Sequence, residues 1–182
     1  MPSRALLVID VQNDYFPGGK WELVGMEAAG KNVGRLLEAA RKAGDLVVHV
    51  RHEFPTAEAP FFVPGSPGAE IHESARNRPG ETVVLKHEIN SFQKTDLKSI
   101  LDRQGIQDLT ICGAMSHMCV DAATRAAADF GYRCTVVHDA CASRDLEFGG
   151  QKVPAAQVHA AYMSALAFGY AKSRTTAEHV GG

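Results

Sequence analysis

Short apolar runs alternate with longer stretches of helical periodicity along this chain, and this alternation limits the possible folds more than any other feature. A buried strand, a helix and a second buried strand in succession are typical of crossover units in a parallel sheet. Strands in such sheets are buried on both faces and are therefore almost continuously apolar. The runs are ALLVID (5–10), LVVHV (46–50), TVVLK (82–86), LTICG (109–113), CTVVHD (134–139) and a weaker sixth, GYAKS (169–173).

Helical patterns fill the gaps between these runs. Apolar side chains recur at helical spacing, and a glycine follows most of the patterns as a stop signal. The predicted helices are residues 26–43, a helix capped by Thr95 that ends at Gly105, residues 117–130 and residues 154–167. A chain of 182 residues suits one domain, over residues 1–182, and we predict an α/β fold in which helices flank a mostly parallel sheet of about six strands.

The connection between the second and third strands is long and irregular. Residues 52–80 are rich in proline and glycine, and connections of this length in compact domains are often functional. Two adjacent aromatic residues, Phe61 and Phe62, favour a loop that packs onto the rest of the domain.

Composition and charge argue against several classes of function. The formal net charge is −2, whereas nucleic-acid binding needs a clustered excess of Lys and Arg. The first apolar run reaches Asp10 too soon for a signal peptide or a membrane span, so we expect a cytoplasmic protein with no membrane partner. In that reducing compartment, disulfides are not expected among Cys112, Cys119, Cys134 and Cys141.

Three polar side chains follow predicted strands at the points where those strands end. Asp10 ends the first strand, Lys86 ends the third, and Cys119 follows the fourth after a tight turn. Because ligands bind at the carboxyl ends of parallel strands, an acid, a base and a thiol converge on one edge of the sheet. Each alone has an ordinary structural explanation: a capping Asp, a solvated Lys or a buried small Cys. Together they form the elements of a nucleophilic site.

Cys119 is the candidate nucleophile of this group. If Ser116 caps the following helix, Cys119 lies in the first turn, where free amides and the helix dipole lower the pKa of a thiol. The charge of Lys86 would lower that pKa further, and Asp10 would accept the thiol proton as a general base. First-turn amides would stabilise an oxyanion on the attacked carbonyl group.

Three segments resemble, in order and spacing, the signature segments of the isochorismatase-like cysteine hydrolases. They are ALLVIDVQNDYFPGG, VVLKHEINSFQKTDLKSIL and ICGAMSHMCVDAATRAAADFGYRCTVVHDACASRD, and the likeness runs from residue 5 to about residue 145. The resemblance implies a three-layer Rossmann-like fold and a homo-oligomer, either a dimer or a tetramer. It also assigns the catalytic Asp, Lys and Cys of the family to Asp10, Lys86 and Cys119.

The same resemblance implies an oxyanion hole. By position, a cis peptide bond that is found in the family falls between Ala114 and Met115. There it would form the oxyanion hole together with the Cys119 amide.

This chain departs from the family pattern at the metal site of the nicotinamidases. Those members bind a metal after the second strand in a pattern like RDWHP, whereas this chain reads RHEFP, with His52 at the Asp position and Phe54 at a His position. His49 and His72 could join His52, but their spacing gives no supported ligand set. No G-x-G-x-x-G turn follows the first strand, which argues against a dinucleotide cofactor. We therefore predict neither a metal nor another cofactor.

Taken together, the sequence predicts a cysteine hydrolase that cleaves a C–N bond, of amide or carbamoyl type, in a small molecule through a covalent thioester. We expect loop residues to border the substrate, although each could equally serve loop packing. They are Phe16, Trp21, His52, Phe61, Phe62, Asn90, Phe92 and His117.

Two alternatives stay open. The first is hydrolysis of a vinyl ether, as in isochorismatase itself. The second is a non-catalytic binding protein, or a redox sensor in which Cys141 resolves an oxidised Cys119. Cys112 and Cys134 lie within apolar strands and are expected to be structural.

Overall fold

A six-stranded parallel sheet forms the centre of the computed structural model, which describes residues 3–181. The strands are Arg4–Ile9 (β1), Leu46–His52 (β2), Thr82–Lys86 (β3), Asp108–Ala114 (β4), Arg133–Ala142 (β5), Leu146–Phe148 (β6), Gln151–Val153 (β7) and Ala171–Arg174 (β8). The sheet order is β3-β2-β1-β4-β5-β8, and every neighbouring pair is parallel. The predicted α/β class and six-stranded sheet are therefore confirmed.

Helices cover both faces of the sheet and complete three layers. They are Met26–Ala43 (α1), Leu97–Arg103 (α2), Cys119–Asp129 (α3), Ala155–Gly169 (α4) and Thr176–Val180 (α5). The central strand β1 is buried on both faces: Leu6 and Val8 pack in the core that contains α1, and Leu7 and Ile9 pack in the core that contains α2 and α3. None of the helices within residues 3–181 has the length and apolar character needed to cross a membrane.

The edge strand β3 differs from the prediction that all strands are buried on both faces. Val83 and Leu85 are exposed, whereas Val84 and Lys86 are buried. Successive side chains of a strand point to opposite faces, and one face of this edge strand has no covering helix. The inward face of β3 therefore still delivers Lys86 to the interior.

The long connection packs as predicted. Within residues 52–80 only two short 3-10 turns form, at Pro67–Ala69 and Glu73–Ala75. Phe61 and Phe62 are both buried in the core on the α1 side.

The turn between β4 and α3 differs from the sequence prediction. The N-cap of α3 is Met118 and its first residue is Cys119, so the prediction that Ser116 caps this helix is wrong. The Ser116 hydroxyl donates instead to the Ala142 carbonyl at 3.1 Å and lies 2.7 Å from Nδ1 of His159. These contacts tie the turn to β5 and α4.

Two other element boundaries shift. The N-cap of α2 is Asp96 rather than Thr95, although the Thr95 hydroxyl still accepts from the Leu97 amide at 3.3 Å. The sixth strand of the sheet begins at Ala171 because α4 continues through Gly169.

Two elements near the C-terminus were not predicted from the sequence. The strands of the hairpin β6–β7 have only three residues each, too few for a period-two pattern to be recognised. α5 has five residues and is fixed by a capping box between Thr175 and Glu178.

Gly113 is required by the approach of β4 to β1. Its φ is +119°, the register of β4 with β5 shifts beside it, and a Cβ atom here would collide with the Ile9 carbonyl. We expect Gly113→Ala to lower the free energy of unfolding by about 2 kcal/mol or more. Gly44→Ala is the matched control, because Gly44 has a φ of +72° with open space around its Cα. Its cost should be about 1 kcal/mol. Urea unfolding measures both, and equal losses would contradict the steric argument.

Candidate active site

The carboxyl edge of the sheet brings together Asp10, Lys86 and Cys119. Asp10 follows β1 and has a φ of +50°, Lys86 is the last residue of β3, and Cys119 is the first residue of α3. β2 lies between β1 and β3, and its last residue, His52, pairs in register with Lys86. Lys86 therefore reaches past the end of β2 to meet Asp10.

The Lys86 ammonium contacts both of the other residues. Its Nζ lies 2.8 Å from Oδ2 of Asp10 and donates to Sγ of Cys119 at 3.3 Å. The side chains of Asp10 and Lys86 are both 0% exposed. An ion pair at this depth is costly to desolvate, and removing one partner would leave an uncompensated buried charge.

The thiol of Cys119 is neutral in this arrangement. Burial raises the pKa of Cys119 to about 12; the negative charge of Asp10 also raises it, and this outweighs the opposing effect of Lys86. The predicted lowering of this pKa is therefore wrong, because the sequence showed the helix terminus but not the depth of burial. Burial lowers the pKa of Lys86, yet the charge of Asp10 and the hydrogen bonds to Asp10 and Cys119 more than offset this. The pKa of Lys86 is therefore raised, and Lys86 stays protonated.

Asp10 has an oxygen free for proton transfer. Within residues 3–181, Oδ1 of Asp10 is buried and has no hydrogen-bond partner. A carboxylate oxygen beside a neutral thiol can accept its proton, and Lys86 can then stabilise the thiolate. The site is thus suited to form a thiolate during a reaction rather than before it.

Two backbone amides at the turn after β4 are available to a ligand. The peptide bond between Ala114 and Met115 is cis. Among the backbone hydrogen bonds of residues 3–181, the amides of Met115 and Cys119 donate to no carbonyl group outside regular elements. The Met115 carbonyl, in contrast, accepts from the amides of Met118 and Val120.

A cavity of about 770 Å³ opens beside this turn. Its inner wall is formed by the turn, and its outer wall by the hairpin β6–β7. The lining residues are Trp21, Met115, His117, Met118, Arg144, Asp145, Leu146, Glu147, Lys152, Val153 and Pro154. Its volume lies within the range of small-molecule sites.

Two of the predicted substrate-contacting residues line this cavity. Trp21 is half-buried, and His117 is fixed by a 2.8 Å contact between its Nδ1 and the Ser143 hydroxyl. Arg144 was not predicted, and its guanidinium carbon lies 4.1 Å from the centre of the Trp21 ring. Its position shortly after the end of the fifth strand was the signal that could have identified it.

One of three predicted aromatic contacts, Phe61, supports the cavity wall from behind. Phe61 stacks on Trp21 with ring centroids 4.6 Å apart, and Phe62 packs on Tyr15 at 4.6 Å. Phe16 stacks instead on His72. None of the three lines the cavity, because each is buried among other aromatic rings.

The structure does not bring Phe92 and Asn90 to this cavity. The Phe92 ring packs against Phe130 and Tyr132, at the opposite end of α3 from Cys119. The Asn90 side chain accepts from the Phe92 amide at 3.0 Å and so closes a local turn. The prediction for these residues relied on nearness to Lys86 in sequence, which the loop after β3 does not preserve in space.

The three histidines considered as metal ligands do not converge. Nε2 of His49 lies 3.0 Å from Glu81, His72 stacks on Phe16, and Nδ1 of His52 faces Nζ of Lys86 at 2.9 Å. Across residues 3–181, no group of three or more His, Cys, Asp or Glu side chains could hold a metal ion. The residues present do not fit the nicotinamidase metal.

The sequence predicted that His52 borders a substrate, but the structure buries this side chain instead. Only 3% of its surface is exposed, and its ring contacts Phe54 and Phe62. Burial, and next the charge of Lys86, lowers the pKa of His52 to about 4. His52 is therefore neutral at physiological pH.

All four cysteines are free thiols and all are buried. Cys112 and Cys134 lie in strands β4 and β5, as predicted for structural residues. The Sγ of Cys141 lies in β5 and donates to the Val137 carbonyl at 3.4 Å.

Comparisons with known proteins agree with this architecture. Residues 4–166 match the family described as the Isochorismatase domain. The chain is 49% identical over 174 residues to the uncharacterized isochorismatase family protein YddQ of Bacillus subtilis, which covers 96% of this chain and 97% of YddQ. A crystal structure of an isochorismatase hydrolase from Oleispira antarctica is 60% identical, with a TM-score of 0.96, over 99% of this chain and 97% of that one.

A relative of lower sequence identity is named for its reaction. Maleamate amidohydrolase of Pseudomonas putida is 31% identical over 154 residues, covering 77% of this chain and 72% of that protein.

The electrostatics of Cys119 predict opposite effects of its two charged neighbours. The charge of Asp10 raises the thiol pKa and that of Lys86 lowers it, so we expect Asp10→Asn to lower the pH midpoint of Cys119 alkylation and Lys86→Met to raise it. Each unit by which the pKa falls raises the thiolate population about tenfold at neutral pH. Iodoacetamide labelling read by peptide mass spectrometry measures the midpoint, with Cys134 as an internal control. A rise of the midpoint in Asp10→Asn would contradict this account.

Proposed function

This chain belongs to the isochorismatase family of hydrolases, and we propose that it cleaves a C–N bond, of amide or carbamoyl type, in a small molecule. One observation carries the proposal: the Lys86 ammonium contacts both the Asp10 carboxylate and the Cys119 sulfur in a fully buried group. A base, a nucleophile and a fixed positive charge are the parts that acyl transfer through a thiol requires. The relationship to maleamate amidohydrolase supports an amide as the bond class.

The first half of the proposed reaction acylates the enzyme. Sγ of Cys119 attacks the carbonyl carbon as its proton passes to Asp10, and the oxygen becomes an oxyanion. The free amides of Met115 and Cys119 donate to that oxyanion. When the intermediate collapses, the C–N bond breaks, and Asp10 returns the proton to the leaving nitrogen. A thioester on Cys119 remains.

The second half releases the product. A water molecule attacks the thioester carbonyl while Asp10 takes one of its protons. The C–S bond breaks, the acid product leaves, and the proton returns from Asp10 to Cys119. Lys86 stays protonated throughout and offsets the negative charge, which lies on Asp10 at rest and on sulfur when a thiolate forms.

The cavity gives the proposal a substrate preference. Arg144 lies over the Trp21 ring in the wall of the cavity and forms no ion pair within residues 3–181. An unpaired guanidinium can bind a carboxylate in a bidentate way, and the indole offers a flat apolar surface. We therefore expect a small amide that carries an acidic group.

The test of the nucleophile is Cys119→Ala. We expect a panel of small amides to identify a substrate by ammonia release, and the substitution to lower kcat/KM by about a thousandfold or more. Cys134→Ala is the matched control, because Cys134 is a buried cysteine near the start of β5, at the opposite end of that strand from the catalytic edge. Acylated Cys119 should appear by mass spectrometry during turnover. Amide hydrolysis that survives Cys119→Ala would contradict the role of Cys119 as the nucleophile. Turnover of isochorismate by a protein that hydrolyses none of the amides would instead favour the vinyl ether alternative.

The test of the substrate preference is Arg144→Gln. The loss of one charge-assisted contact should raise KM for a carboxylate-bearing amide about tenfold or more, with a smaller effect on kcat. The corresponding uncharged amide should show little change. Lys152→Gln removes another positive charge from the wall of the same cavity and serves as the control. Equal effects of the two variants would contradict a specific role for Arg144.

A further inference from the structure

The Lys86 ammonium has more acceptors around it than hydrogens to donate. Its Nζ lies 2.8 Å from Oδ2 of Asp10, 2.9 Å from Nδ1 of His52, 3.1 Å from the Glu88 carbonyl and 3.3 Å from Sγ of Cys119. An ammonium group has three donors. Two of the four acceptors are the groups that exchange a proton in the proposed reaction, and the other two are neutral and fixed.

His52 can act toward Lys86 only as a neutral acceptor. Because an ammonium group donates and never accepts, Nδ1 of His52 carries the lone pair and Nε2 carries the hydrogen. Within residues 3–181, that Nε2 is buried and has no hydrogen-bond partner. A buried N–H without a partner is unfavourable, so other contacts must hold the ring in this orientation.

The backbone of His52 is clamped by Gln12. The Gln12 side chain accepts from the His52 amide at 2.7 Å and donates to the His52 carbonyl at 2.8 Å. Gln12 is itself fully buried, and the contacts with Phe54 and Phe62 fix the ring. The hydrogen bonds to the backbone and the contacts of the ring together direct Nδ1 of His52 toward Lys86.

We infer that His52 is a positioning residue for the hydrolysis proposed above: a neutral acceptor that holds the Lys86 ammonium between Asp10 and Cys119. This role rests on the proposed function. His52 and the Glu88 carbonyl take two of the three hydrogens of the ammonium. The third is shared between Asp10 and Cys119 and turns toward sulfur as the thiol proton moves to the carboxylate.

The free oxygen of Asp10 shows what the loss of His52 would do. Oδ1 of Asp10 has no hydrogen-bond partner within residues 3–181, so a hydrogen released from His52 would turn to it. The ammonium would then bind both carboxylate oxygens and move away from the sulfur. Asp10 would become a weaker base, and the thiolate would lose stabilisation.

Three substitutions separate this role from simple packing. Asn places an amide oxygen near the position of Nδ1, Leu fills the space without an acceptor, and Asp adds a second carboxylate of the same shape as Asn. We expect His52→Asn to retain kcat/KM within about threefold, and His52→Leu and His52→Asp each to lose about tenfold or more. A packing role predicts the reverse order for the first two, because Leu suits the apolar contacts with Phe54 and Phe62 better than Asn.

Thermal unfolding of the three variants shows whether lost activity follows lost stability. We expect His52→Leu to be at least as stable as His52→Asn, although it is less active. If activity in these variants follows stability, or if Leu is as active as Asn, the inference is wrong.

Nitrogen-15 spectra of the histidine rings test the contact without any substrate. The charged or titratable groups that act on His52 are Lys86, Asp10 and His87. We expect His52 to remain in the neutral form with hydrogen on Nε2 from about pH 5 to pH 9. In Lys86→Met its pKa should rise, because the charge of Lys86 lowers it. A hydrogen on Nδ1, or an unchanged spectrum in Lys86→Met, would overturn the inference.

The two readouts distinguish failure of the inference from failure of the proposed function. If no amide is hydrolysed but the spectra show the expected tautomer, the proposed function fails and the contact between His52 and Lys86 stands. If amides are hydrolysed and His52→Leu matches His52→Asn, the hydrolase stands and the positioning role fails.

Discussion

A buried ion pair between Asp10 and Lys86 constrains the rest of this structure. Both side chains are fully buried, and two charges in such a place need close contact and further hydrogen bonds to offset the loss of water. Neighbouring strands lie about 4.8 Å apart, so β3 is about 10 Å from β1. Only a long side chain on the inward face of β3 can cross that distance. Because β2 lies between β1 and β3, its last residue, His52, lies next to the Lys86 side chain.

The same ion pair sets the chemistry of Cys119. A thiol at a helix N-terminus beside a single Lys would ionise readily, but here a carboxylate lies on its other side and the whole group is buried. The group therefore rests as an ion pair with a neutral thiol, which also limits the reactivity of the sulfur toward oxidants. Proton transfer from Cys119 to Asp10 does not change the net charge of the group. This property suits a reaction in which Asp10 is used first as a base and then as an acid.

The cavity is built from segments that are distant in the chain. Residues 52–80 supply buried aromatic side chains, of which Phe61 stacks on Trp21, and Arg144 lies over the indole ring. The hairpin β6–β7 closes the outer side. The rigid sheet edge thus fixes the reacting groups, whereas the loops determine the shape and charge that a substrate meets.

The sequence by itself determined the parallel sheet and the convergence of Asp10, Lys86 and Cys119 on one edge. Alternating periodicity sets the order of strands and helices, and the carboxyl ends of parallel strands always meet at the same edge. Only the tertiary structure decided what surrounds these groups. Burial determines the raised pKa of Cys119 and the neutral state of His52 beside Lys86. The paths of the loops determine that Arg144 lies at the cavity and that Phe92 does not. Those follow from packing between residues far apart in the chain, which local pattern does not encode.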